Sequence, residues 1–152
     1  MSIKIIIAGS RTFKLYSILK NKMDFLLKDT KDEDITIISG EADGADKLGE
    51  KYAEENNYNL LRFPALWDKE GKAAGYKRNV RMAQEGTHCV VFIDNNSKGS
   101  QHMINIAKEY NLKLKIIDVS KYVKLSNNLI KLFKEHNISV EEAREYLKEA
   151  NK

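Results

Sequence analysis

A doubly wound α/β sheet, five parallel strands with helices on both faces, is the fold this sequence predicts, and three observations carry it. Apolar runs rich in Ile and Val alternate with segments of helical spacing in the order βαβαβαβαβ. Several runs, IKIIIA and CVVFI among them, are near-continuous rather than alternating, as strands covered on both faces are. Right-handed helical crossovers then join neighbouring parallel strands into one Rossmann-like sheet.

The elements follow in order. IKIIIA predicts a first strand at about 3–8, ending in Gly9-Ser10-Arg11, and helical spacing follows over 15–28. ITIIS predicts the second strand at 35–39; it runs into SGEADGAD, residues 39–46, which opens a helix over 45–56. NLLRF predicts a third strand at 59–63, followed by FPALWDKEGKAAGYKRN, with the only proline and only tryptophan, and a helix over 72–85. HCVVFID, 88–94, and LKIID, 114–118, supply the last strands around a helix at 100–110 that DNNSKGSQH introduces.

After residue 120 two helical segments are expected, 125–136 and 140–150, with Ser139 and Glu142 at capping-box spacing. Leu129, Ile130, Leu132 and Phe133 give the first an apolar side. Two helices this short hold no core of their own, so they are expected to pack on the sheet or on a second copy. The expected organisation is a Rossmann-like domain over 1–120 and a helical extension over 121–152, in a homodimer or higher homo-oligomer.

Composition narrows the function classes. The chain has 152 residues, 42% hydrophobic and 32% charged, the profile of a folded soluble domain. No run approaches the ~20 apolar residues of a membrane span, and no signal peptide is evident, so a cytoplasmic location without membrane contact is expected. Cys89 sits in an apolar run and reads as a small hydrophobe. The net charge of +4 is spread without a like-charge block, which favours anionic ligands but argues against nucleic acid. His88, His102 and His136 are too dispersed to predict a metal site, and no cofactor is expected.

In such a sheet, ligands bind beyond the carboxyl ends of the strands, where strand order reverses. The loops after the strands are therefore the candidate site. Gly9-Ser10-Arg11 and the Gly40/Gly44 loop suit close backbone approach to an anion, although a structural turn has the same composition. Trp67 fits either a core or a half-buried stacking site. Arg78 and Asn79 share a helix face with Gly75 and Met82, an arrangement that suits phosphate with a base or ribose edge, or a solvent-facing charge.

G-S-R after the first strand, S-G-x-A-D-G-A-D after the second, F-P-A-x-W with A-G-x-x-R-N after the third and S-x-G-S after the fourth resemble one family in combination. The chain is similar, over about 3–118, to the YspA-like branch of the SLOG superfamily, the Rossmann-like group that includes the LOG phosphoribohydrolases and the DprA/Smf proteins. The resemblance implies a site for a nucleotide or nucleotide-derived molecule. By position it would comprise Gly9, Ser10 and Arg11; Gly40, Glu41, Gly44, Ala45 and Asp46; Pro64, Trp67, Arg78 and Asn79; and Asp94, Gly99 and Ser100. Arg11 would then be a phosphate ligand.

Two departures bear on activity. Glu41 stands where the family's S-G-G motif has its second glycine, which puts a carboxylate beside the expected anion site, suited instead to reading a ribose hydroxyl. Met103 stands where the LOG enzymes carry the glutamate tied to glycosidic cleavage, and a thioether supplies no acid or base. The expectation is therefore a binder of an ADP-ribose-like or cyclic nucleotide signal, a sensor or a sequestering protein of the kind a virus would use against host signalling. A nucleotide hydrolase or N-glycosidase, with Glu41, Asp43, Asp46 or Asp94 as its carboxylate, is the alternative, and a nucleic-acid-binding module ranks below both.

Overall fold

The computed structural model describes residues 2–95 and 97–136, together with Ser139 and Glu142. Five parallel strands, β1 (Ser2–Gly9), β2 (Asp34–Ser39), β3 (Asn59–Arg62), β4 (His88–Ile93) and β5 (Lys113–Asp118), form one sheet in the order β3-β2-β1-β4-β5. The chain builds outward from β1 to β3, then crosses back to place β4 on the other side of β1. That reversal sets the switch point between the carboxyl ends of β1 and β4.

The continuous Ile run of β1 follows from this position. Ile5 pairs with Ile37 of β2 in register, and Ile7 pairs with Val90 of β4. Flanked on both edges and both faces, Ile5, Ile6 and Ile7 are buried. The edge strands β3 and β5 lack one neighbour and read more polar, with Leu61 and Ile116 exposed.

Alternate side chains of the sheet feed two cores. Ile5, Ile7, Ile35, Ile37 and Phe92 pack under α1 (Tyr16–Leu26), α2 (Ala45–Glu55) and the start of α6 (Ser120–Glu135). Ile6, Ile38, Cys89 and Val91 pack under α4 (Ala74–Glu85) and α5 (Lys98–Glu109), against Met82, Ala83, Met103 and Ile104. Each fully buried side chain of this size contributes roughly 1.5–3 kcal/mol. Burial also pushes the Cys89 thiol up to about 12, which keeps it an uncharged core residue.

The α/β sheet predicted from the apolar runs is the observed one, with two local differences. A short helix, α3 (Trp67–Glu70), and a 3-10 turn (Gly71–Ala73) precede α4. The sixth helix starts at Ser120 rather than 125, because Tyr122 and Val123 already pack on the sheet. Ser139 Oγ accepts the Glu142 N–H at 3.2 Å, one half of the expected capping box. The rest of the predicted 140–150 helix, and the side chains of Ile130, Leu132 and Phe133, lie outside the described residues. Among the described residues no helix is long and apolar enough to cross a membrane.

Candidate functional site

The end of β1 is wedged between β4 and α2. Ser10 N–H donates to the Phe92 carbonyl at 2.8 Å, and Ala45 N–H donates to the Ser10 carbonyl at 3.1 Å. A Cβ on Gly9 would sit 2.0 Å from the Phe92 oxygen, and one on Gly44, whose φ is +79°, would sit 2.2 Å from the Ser10 oxygen. Both glycines are thus required by the protein's own backbone. The turn they fix projects Arg11 outward, where its side chain is exposed.

A hydroxyl–carboxylate cluster closes the switch point. Ser10 Oγ and Thr12 Oγ1 donate to Asp94 Oδ2 at 2.8 and 3.0 Å, and the two hydroxyls lie 2.8 Å apart. This ties the loop after β1 to the loop after β4.

The loop after β2 is tied to α4 through Arg78. Its Nη1 donates to the Gly40 carbonyl and its Nε to Asn79 Oδ1 at 3.1 Å, while Asn79 Nδ2 meets His102 Nδ1 of α5 at 3.0 Å. Gly40 leaves room for these groups, since a Cβ there would lie 2.7 Å from the Arg78 guanidinium and 2.8 Å from the Asp46 carboxylate and would push one of them aside. Asp46 accepts the Ala42 N–H at 3.2 Å. Its burial pushes the carboxyl up to about 6, against the opposing pull of the Ala42 N–H and of Arg78. Burial lowers the Arg78 pKa while Asp46 opposes that fall, and the guanidinium stays cationic.

Over these loops lies a cleft of ≈ 450 Å³. It brings together Gly9, Ser10, Arg11, Asp46, Trp67, Arg78, Asn79, Asp94, Gly99 and Ser100 of the expected site. A smaller cavity of ≈ 190 Å³ adjoins it, sharing Arg11, Trp67 and Arg78 and adding Gly40, Glu41 and Pro64. Gly44 and Ala45 line neither; they support the loop after β1 from behind.

Trp67 is 54% exposed and stands at the wall shared by the two cavities, so it is no core residue. Tyr76, Thr12, Lys72 and Lys98 also line the larger cleft, and none of them was singled out by sequence reasoning. Thr12 and Lys98 adjoin residues that were, and Tyr76, next to Gly75 on α4, sets its ring against His102 of α5 at 4.4 Å between centroids. Ser97 caps α5 by accepting the Ser100 N–H at 3.3 Å, and a Cβ on Gly99 would meet nothing within 4 Å. The α5 N-terminus, with the positive end of its dipole, therefore faces the cleft. Met103, only 1% exposed, lies at the cleft's base and offers no acid or base there.

Residues 3–69 match the family described as the YspA, cpYpsA-related SLOG family. Over that stretch, somewhat less than half of its length, the chain is similar to this SLOG family. The matched stretch takes in the first two strand-end loops and the third as far as Trp67, while Arg78 and the α5 loop lie beyond it. Among solved structures, DNA processing protein A (DprA) of Streptococcus pneumoniae is similar with a TM-score of 0.60 and 18% identity, covering 75% of this chain and 50% of its own. The likeness shows the same fold, and this chain spans about half the length of that DprA. A predicted subunit of tRNA methyltransferase from Methanocaldococcus jannaschii aligns at a TM-score of 0.39 and 9% identity, over 76% of this chain and 68% of its own. No curated protein sequence matches the chain.

Proposed function

We propose that this protein binds a nucleotide-derived small molecule in the cleft at the switch point and holds it intact, as a sensor or a sequestering protein. One observation carries the reading: an exposed tryptophan faces the same cleft as the open α5 N-terminus and the exposed Arg11. The helix end and Arg11 suit a phosphate, and the indole suits a base. Lys72 and Lys98 add positive charge at the same cleft.

The carboxylates favour holding over cleaving. Asp94 accepts from two hydroxyls of the protein, and Asp46 is only 4% exposed beneath the Gly40 loop. Hydrolysis is the second reading, favoured by Asp46 alone, whose pKa of about 6 suits a general acid.

Incubation with a panel of mononucleotides, cyclic nucleotides, ADP-ribose and cyclic ADP-ribose isomers, followed by heat release and mass spectrometry, separates the two. Depletion of one compound from solution and its intact return on heating is the expected result. Its return as base, ribose phosphate or another fragment would establish the hydrolase, and retention of none would refute both.

A further inference from the structure

We infer that the side of the molecule formed by β5 and α6 is a docking surface for the phosphate backbone of a nucleic acid duplex, bound without regard to base sequence. It is separate from the cleft, since none of its lysines lines either cavity.

The charge of the chain is unevenly shared. Residues 98–136 carry eight lysines against three carboxylates, so this stretch holds a net +5 while the rest of the chain is a net −1. Along the sequence these lysines stand apart and form no block, but the fold gathers six of them. Ile117 of β5 packs into the same core as Tyr122 and Val123 of α6. Lys113 and Lys115, two and four positions before Ile117, therefore share the sheet face that α6 covers. On α6, Lys121, Lys124 and Lys131 fall within about 80° of one another around the helix, on the side opposite Tyr122 and Val123. Lys134 extends the row to about 20 Å, the rise of roughly six base pairs.

All six side chains are exposed, and among the described residues none of them makes an ion pair. Lys20, Lys47 and Lys77, on α1, α2 and α4, each have a carboxylate within 4.0 Å. Of the three acids in the basic stretch, Glu109 ends α5 on the other sheet face, Asp118 accepts the Ser120 N–H at 2.8 Å, and Glu135 stands at the end of the row. Like charges left unmatched on one side repel one another, and a polyanion relieves that repulsion while releasing its condensed counterions.

Two features select a duplex. A helix that lies in a lipid interface inserts its apolar side, but α6 spends Tyr122 and Val123 on the sheet and buries Leu129. Leu125, 39% exposed, is the one large apolar side chain of α6 left open among the described residues, too little to anchor in lipid. A single-strand binder offers rings for stacking, but Tyr122 lies against the sheet with the Lys121 ammonium 4.9 Å from its ring centroid. The surface presents ammonium groups alone, the contacts that give affinity without sequence.

Anisotropy titrations of the full chain with a labelled random-sequence DNA duplex and with its separated strand, beside sedimentation with mixed phosphatidylcholine and phosphatidylserine vesicles, test this. The duplex should bind more tightly than the single strand, with an affinity that falls about a hundredfold or more between about 50 and 200 mM salt. The triple variant Lys121→Gln, Lys124→Gln, Lys131→Gln should weaken duplex binding about tenfold or more and lower the log–log salt slope by about two to three. Lys31→Gln, Lys51→Gln, Lys69→Gln removes the same charge elsewhere and should leave affinity within about twofold. Should the helix variant lower Tm, Lys113→Gln with Lys115→Gln on β5 gives the second reading, again a weaker duplex complex. Equal weakening by the two triple variants overturns the surface in favour of net charge alone. Absence of duplex binding at about 50 mM salt overturns it, and so does tighter binding of the single strand. Binding to the vesicles without binding to the duplex overturns it in favour of a lipid surface.

Discussion

Arg11 and Trp67 are exposed side chains that line both the larger cleft and the smaller cavity. Arg11 projects from a turn held by backbone bonds of its neighbours, so its replacement leaves that turn intact. Arg11→Ala should weaken ligand binding by about 1.5–3 kcal/mol, the range of a charge-assisted bond, with Tm unchanged. An unaltered affinity would return Arg11 to the solvent surface. Trp67, being 54% exposed, should likewise tolerate Trp67→Leu without unfolding and lose the stacking of a base, a cost of about 1–3 kcal/mol in comparable sites. Unfolding of that variant would show that the indole holds α3 in place. The glycines of the same loops illustrate what a sequence leaves open. G-S-R and S-G-x-A-D-G mark where the chain must come close to something, but Gly9 and Gly44 approach the protein's own carbonyls, whereas Gly99 faces open space. Composition is identical for the two cases, and only the folded neighbours tell them apart. Arg78 was legible as a member of the site, but not its bond to the Gly40 carbonyl, because that contact joins loops 38 positions apart.

At the scale of the element, the segment that carries Trp67 and Lys72 at the cleft is tied to α4 by an ion pair. Glu70, at the end of α3, accepts both terminal nitrogens of Arg81 on α4 at 3.2 Å each, and Arg81 holds its carboxyl below the ordinary range. Lys77 stands 4.0 Å away and partly duplicates the charge. Glu70→Gln should therefore speed amide exchange across residues 67–73 by about threefold to tenfold, as loss of a partly shielded ion pair does, with β1 amides unaffected. Arg81→Gln should have the smaller effect, since Lys77 remains. Equal exchange in all three proteins would mean that backbone bonds alone hold the segment. This fastening was not legible beforehand: four residues after F-P-A-L carry no period, so neither α3 nor its tie announces itself. The strands were legible because Ile and Val runs have few other uses, and their limits shift by a residue or two where edge position, as in β3, removes a partner.

For the molecule as a whole, the parallel doubly wound sheet and the placing of a cleft at its strand ends were legible from the apolar runs, whereas the order β3-β2-β1-β4-β5 was not, because chain order with right-handed crossovers is compatible with more than one strand order. What topology did not reveal is the charge state beneath the cleft. Asp46 has a folded-state pKa of about 6 against its ordinary 3.8, so between these values the folded chain keeps a proton that the unfolded chain has released. Its favourable contribution is complete below pH 3.8 and is lost as pH rises through about 6. Asp46→Asn should remove that dependence: the stability of the variant relative to wild type, from urea unfolding, should rise between pH 4 and pH 8 by on the order of 2–3 kcal/mol. A difference that stays constant with pH would show that Asp46 titrates as an ordinary carboxyl.

The position of the one tryptophan has a practical side. Because the only indole in the chain stands half in water at the wall shared by the two cavities, its emission has a single source, and any ring laid against it changes both colour and brightness. The protein carries its own optical gauge of occupancy, and a cuvette titration needs neither a label nor a prior guess at what fills the cleft.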